Sequence, residues 1–210
     1  MYLKKPMEIE NKSMEIIETE LGIHGLTPNE LKVVERTIHT TGDFDYKNIV
    51  SLKPGAIEEG LKAIKHGCRI VTDTTMVLSG INKRALEKLN CRVECFIGDD
   101  EIFKNAKLKG ITRSMASMDY AASEDVDIFV IGNAPTALYR IGELINEKKV
   151  SPKLIIGVPV GFVGAAESKE YIRGFQVPSI TTVGSKGGSN VAASIVNALI
   201  YMANDGRRDE

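Results

Sequence analysis

His39 is the side chain best suited to carry a proton near neutrality, because imidazole alone has an unperturbed pKa close to that range. It follows Arg36 by three positions, so on a helix the two share a face, and Thr40, Thr41 and Asp43 come directly after it. Two readings fit: a proton donor or acceptor beside a cation, or a last-turn histidine satisfying free helix carbonyls. His24 and His66 each sit at a helix end beside a glycine and offer less. A second constellation is Gly184-Ser185-Lys186-Gly187-Gly188-Ser189-Asn190. Paired glycines before a helix free backbone N–H groups and Lys186 adds a mobile cation, which together make an anion site. The other reading is a tight strand-to-helix turn capped by Ser189.

A third loop carries Val158-Pro159-Val160 and Phe162-Val163, apolar where strand-end loops are usually polar. A large flat apolar body could lie against them; packing of a buried loop explains the same residues. Glu167, Ser168 and Lys169 then open a helix and read as solvated first-turn residues. Gly157-x-x-x-Gly161-x-x-Gly164 misses the GxGxxG spacing that brings backbone up to a pyrophosphate, and no GxxxxGK[ST] occurs. There is no serine nucleophile elbow, no HExxH and no pair of histidines with a carboxylate at ligand spacing, so the machinery of hydrolysis and of metal-assisted chemistry is missing. Cys91 and Cys95, on one face of an expected strand Cys91–Ile97, stand about 13 Å apart, too far to hold one ion. With Cys68 they make an odd count of thiols, as in a reduced compartment.

These loops belong to a recurrent unit. Asp127–Ile145, Lys153–Ile172 and Ser179–Met202 each run from a short apolar strand through a Gly-rich loop into a helix. Strands without polar alternation are buried on both faces of a parallel sheet, and the helices are its crossovers. Ligands of such sheets sit beyond the carboxyl ends of the strands, which points to Asn133–Thr136, Pro159–Glu167 and Gly184–Asn190. Upstream, a helix is expected from Pro6 to near Gly22. Thr27-Pro28-Asn29-Glu30 starts a second with a capping box and Pro at its first position, ending at Gly42. Pro54–Gly67 reads as a helix and Arg69–Asp73 as a strand; Thr74–Leu89 is a loop and helix broken at Gly80. A helix from Asp99 or Asp100 to Lys109 and a short one over Thr112–Ser123 follow. Ile49–Leu52 is too short to assign. Strands near 70, 94, 128, 155 and 181 give a five-stranded parallel sheet of doubly wound α/β type, behind an N-terminal helical pair, with residues 1–210 as one domain.

With 27 basic and 28 acidic side chains, the chain has no net field to recruit nucleic acid or an anionic membrane. Its start is charged and no run reaches the roughly 18 apolar residues of a membrane span, so it reads as cytoplasmic.

The segments Pro6-x-x-Ile9-x-x-x-Ser13, Glu35-Arg36-Thr37-Ile38-His39-Thr40-Thr41-Gly42-Asp43, Val71-Thr72-Asp73-Thr74-Thr75-Met76-Val77, Thr112-Arg113-Ser114, Gly132-Asn133-Ala134-Pro135-Thr136, Gly157–Val163 with Glu167-Ser168-Lys169, and Gly184–Ser189, in this order, resemble the precorrin-8X methylmutases of corrin biosynthesis. The resemblance implies a flavodoxin-like three-layer fold and a homodimer. It also implies a cofactor-free isomerase that moves a methyl group from C-11 to C-12 of precorrin-8X or cobalt-precorrin-8 by a 1,5-sigmatropic shift, giving hydrogenobyrinic or cobyrinic acid. His39 falls on the family's catalytic histidine. Ser13, Arg36, Arg113, Asn133, Lys186, Gly187 and Gly188 are the substrate-binding candidates; no S-adenosylmethionine is implied, because the methyl never leaves the molecule. Overall similarity leans towards the cobalt substrate. A corrinoid-binding module without turnover and a flavodoxin-like enzyme acting on a phosphorylated small molecule are the competing readings.

Overall fold

The computed structural model describes residues 4–204; the first three and last six positions of the expected 1–210 domain lie outside the described residues. In chain order the elements are α1 (Pro6–Leu21), α2 (Pro28–Thr41), α3 (Tyr46–Ile49), β1 (Val50–Leu52), α4 (Ala56–Lys65), β2 (Arg69–Thr72), α5 (Thr75–Gly80), α6 (Lys83–Lys88), β3 (Arg92–Glu94), α7 (Asp100–Lys109), α8 (Arg113–Ala121), β4 (Ile128–Ile131), α9 (Pro135–Asn146), β5 (Leu154–Gly157), α10 (Ala165–Arg173), β6 (Ser179–Thr182) and α11 (Ser189–Ala203). No helix among the described residues is long and apolar enough to cross a membrane.

The strand order is β1-β6-β5-β4-β2-β3, with every neighbouring pair parallel except β1 and β6. Counted among themselves, the five parallel strands run 2-1-3-4-5, the flavodoxin-like order, which reverses direction between β2 and β4. Alternate residues of each strand face opposite layers. Ile70, Ile128, Val130, Ile156 and Ile180 pack with α1, α2, α4 and α11, while Val71, Phe129, Ile131 and Ile155 pack with α8, α9 and α10. Helix α11 is buried nearly all round through Val191, Ala192, Ile195, Val196, Leu199 and Ile200. Each of its larger aliphatic side chains contributes roughly 1.5–3 kcal/mol by leaving water.

The sheet has six strands where five were expected. The additional one, β1, pairs antiparallel with β6 through Val50↔Thr182, Ser51↔Thr181 and Leu52↔Ile180. Three half-buried residues whose partners lie far along the chain leave no periodicity and no hairpin turn to read. Because β1 runs against β6, it starts where β6 ends, so everything just upstream of Val50 reaches the carboxyl edge of the sheet. The Val183 N–H donates to the Ile49 carbonyl at 2.7 Å and fixes this junction.

The capping box of α2 forms as expected: the Glu30 N–H donates to Thr27 Oγ1 at 3.4 Å and the Thr27 N–H to Glu30 Oε2 at 2.7 Å. Gly42, with φ of 64°, closes the helix in the left-handed conformation that glycine adopts without steric cost. The expected strand at Cys91–Ile97 shortens to Arg92–Glu94. The close thiols are Cys68 and Cys91, whose sulfurs are 3.4 Å apart at the amino ends of neighbouring strands.

Candidate functional site

The crevice where the strand order reverses is braced by Asp73, the residue directly after β2. Its buried carboxylate accepts the N–H groups of Gly132 at 2.9 Å, Asn133 at 2.8 Å and Ala134 at 2.7 Å. Burial raises its pKa and these three donors oppose the rise. The turn after β4 is thereby held rigid with the Asn133 side chain exposed. Thr112 and Thr136 share a hydrogen bond at 3.1 Å, which brings the start of α8, and with it the exposed Arg113, beside that turn. Gly132 lies against the start of α11: a Cβ there would stand 2.8 Å from the Ser189 Cα. The Ser189 hydroxyl meets Thr74 Oγ1 at 3.1 Å and makes no capping bond to α11.

The loops after β5 and β6 are knitted together. The Gly188 N–H donates to the Val158 carbonyl at 2.8 Å and the Gly161 N–H to the Ser185 carbonyl at 3.1 Å. A Cβ on Gly187 would sit 2.2 Å from the Val158 oxygen, so only glycine fits. The Gly188 amide is therefore already engaged, contrary to the expectation that both glycines free their N–H groups; among the described residues the Gly187 N–H makes no hydrogen bond. The apolar loop divides. Val158 and Pro159 are buried, whereas Phe162 and Val163 are 96% and 89% exposed.

Lys186 is a tether, and the expected mobile cation is absent. Its ammonium lies 2.5 Å from Asp43 Oδ2 and 2.7 Å from Asp45 Oδ2. The hydrogen bond from Lys186 holds the Asp43 carboxyl below its usual range, and the two carboxylates raise the lysine. Asp43 follows the last turn of α2, so the pair joins the glycine loop to the end of the helix that carries His39.

His39 is exposed on one side and makes no hydrogen bond among the described residues. Partial burial and then the nearby Arg36 charge lower its pKa from 6.5. One turn earlier, Arg36 pairs with Glu10 of α1 at 3.0 Å and its guanidinium lies 5.3 Å from the Tyr201 ring centre. Burial lowers its pKa. Ser13, one turn from Glu10, donates to the Ile9 carbonyl at 3.0 Å within α1. The candidates thus fall into an arc along the carboxyl edge, from Arg113 and Asn133 through Gly187 and Lys186 to His39, with Arg36 and Ser13 at the α1–α2 contact behind it.

Two contributors lay outside the sequence expectation. Asp73 is one: a charged residue immediately after a buried strand was the available signal. Lys169 is the other, and it corrects the reading of 167–169 as solvated. With Ala165, Ser168 and Ile172 it forms the buried stripe of α10, a spacing present in the sequence.

The family model for precorrin-8X methylmutase matches residues 8–202. The chain is 47% identical over 93% of its length to the cobalt-precorrin-8 methylmutase of Leptospira interrogans, covering 93% of that protein. It is 45% identical to the enzyme of the same name from Salmonella typhimurium, over 95% of this chain and 97% of that one. The crystal structure of precorrin-8x methyl mutase from Thermus thermophilus superposes with a TM-score of 0.87 at 38% identity, covering 94% of this chain and 98% of that one.

Proposed function

The chain belongs to the precorrin-8X methylmutase family, isomerases of cobalamin biosynthesis that shift a methyl group within one molecule, and from that premise we propose that His39 exchanges the proton of the reaction. The substrate in this reading is precorrin-8X or cobalt-precorrin-8, with the cobalt form favoured by the names of the relatives. Its methyl group moves from C-11 to C-12 by a 1,5-sigmatropic shift.

A concerted shift needs no nucleophile. The protein's task is to hold the macrocycle in a reactive conformer and to set one proton on its conjugated system. Phe162 and Val163 offer exposed apolar surface to the flat body, while Arg36 and Arg113 are the cations for its peripheral carboxylates, aided by Asn133, Ser13 and the Gly187 amide; Lys186, tied to Asp43 and Asp45, and the Gly188 amide, tied to the Val158 carbonyl, hold the loop in place. In the free protein His39 is biased towards neutral imidazole by burial and by Arg36. Substrate carboxylates arriving beside Arg36 offset that charge and favour the imidazolium, so proton delivery is linked to occupancy. What supports the reading above all is β1: its antiparallel run brings the end of α2 to the same edge as the glycine loop, with Lys186 bonded to Asp43 and Asp45 across the junction. A homodimer belongs to the same proposal.

The test is to incubate the purified protein separately with precorrin-8X and cobalt-precorrin-8 and follow the visible spectrum. Conversion of both, faster for the cobalt form, is expected; an unchanged spectrum with both would overturn the reading. Sizing in solution should give twice the monomer mass.

A further inference from the structure

Lys169 is fully buried, yet among the described residues its ammonium reaches no carboxylate. Its nitrogen donates instead to the Lys186 carbonyl at 2.9 Å and to Thr182 Oγ1 at 3.0 Å, and the Thr182 hydroxyl donates to the same carbonyl at 2.7 Å. Two donors from α10 and β6 thus converge on the peptide oxygen that precedes Gly187. Turning that oxygen inward turns the Gly187 N–H the other way, since the C=O and N–H of one peptide unit are antiparallel. The charged groups around Lys169 are Arg173 and Glu170 of its own helix, which pair with each other, and Lys186 of the loop, held by Asp43 and Asp45. Arg173 also reaches β6, donating to Thr181 Oγ1 at 3.0 Å and to the Thr182 carbonyl at 3.3 Å.

A buried cation without an acidic partner is costly, and replacing one by an apolar side chain of similar size is often neutral or stabilising. A packing role alone does not account for it. We propose that Lys169 is a positioning residue for substrate binding: its ammonium pins the Lys186 carbonyl, aims the Gly187 amide at a peripheral carboxylate of the macrocycle, and supplies positive charge beneath it. This rests on the functional reading above, and the two fail separately.

The test compares the wild-type chain with Lys169→Met and Lys169→Arg, using the isomerisation assay, titration with the corrinoid product and urea unfolding. Lys169→Met is expected to raise KM and the product Kd at least tenfold, to leave kcat within threefold, and to be no less stable than wild type; Lys169→Arg should recover part of the affinity. Burial, and then Arg173, lower the Lys169 pKa to about 8. Its charge is present below that pH and lost above it, so wild-type product affinity should fall as pH rises through about 8, while the Met variant stays flat. Unchanged KM and Kd in Lys169→Met, or equal losses of stability and binding in both variants, would overturn the positioning role. A wild-type protein that neither binds product nor turns over substrate would instead overturn the functional reading. Should the Met variant fail to fold, the pH dependence of wild-type binding decides alone: a flat profile between pH 7 and about 9 refutes the proposal.

Discussion

The two edges of the central sheet are built on opposite rules. At the amino edge the half-buried charges close on one another, while Arg92 and Asp125 stay exposed. Arg69 bonds Glu94 at 2.6 Å and Glu124 at 2.7 Å, Lys153 holds Asp127 at 2.7 Å, and the second Asp127 oxygen takes the Arg69 N–H at 2.9 Å. Among the described residues the Cys68 and Cys91 thiols bond one another and nearby backbone. At the carboxyl edge the buried charges are spent mainly on backbone, Asp73 on three amides and Lys169 on a carbonyl beside Thr182 Oγ1, and the ion pairing is left to the exposed Lys186 with Asp43 and Asp45. Arg113 and Asn133 face outward and Phe162 is bare. Most buried polar groups are satisfied at both edges, the Ser179 hydroxyl at the start of β6 being an exception, but among the described residues the carboxyl edge is where free donors and exposed apolar surface lie side by side.

If that contrast carries function, the largest effect belongs to His39. His39→Ala should lower turnover by about 10²–10⁴-fold, the ordinary worth of general acid–base catalysis, and keep product binding within tenfold. In wild type, kcat/KM should rise as the pH falls through a value below 6.5, because burial and Arg36 depress the imidazole and the imidazolium is the donating form. The alanine variant should lose that limb. Single-turnover spectroscopy across pH checks both, and a variant with retained turnover removes His39 from the mechanism. Gly187→Ala comes next. Its Cβ would overlap the Val158 carbonyl, so the loop must move; destabilisation of about 1–3 kcal/mol is expected with a product Kd raised at least tenfold. An alanine variant with unaltered affinity would show that the loop does not bind substrate.

How much of this could be read in advance depended on distance along the chain. The α2 capping box spans four residues, and the buried runs Ile128–Ile131 and Leu154–Gly157 carry their own signature, so both were legible. The glycine loop was visible as a motif. The partners of Lys186 were not, since Asp43 lies 143 positions away, and a free cation was the default. The same limit hid β1, whose three residues become a strand only against β6, and with it the reason that the end of α2 reaches the crevice. Lys169 was missed for another reason. A lysine in a first helical turn reads as solvated on its charge, although Ala165, Ser168 and Ile172 mark that face as buried.

Arg36→Ala sharpens the comparison at a residue that obeys both rules, being paired with Glu10 yet one turn from His39. Loss of a charge-assisted hydrogen bond to a substrate carboxylate should weaken product binding by about 1.5–3 kcal/mol. If Arg36 only tied α1 to α2, Glu10→Gln would weaken binding equally. The expectation is that Glu10→Gln leaves binding within twofold or tightens it, as the guanidinium is released for substrate.

The smallest effect is expected at the amino edge, where it is also most discriminating. Arg69 is tied to two carboxylates and its side chain is 24% exposed, so solvent screens part of their attraction. Arg69→Met should cost at most about 1 kcal/mol in urea unfolding, the scale of partly exposed ion pairs. It should leave kcat and KM within twofold, because its contacts end among Glu94, Glu124 and the starts of β2 and β4. A tenfold rise in KM would mean that strain at the amino edge travels along β2 to Asp73 and the turn it braces. In that case the satisfied edge would be part of the binding apparatus, and the separation of the two edges would fail.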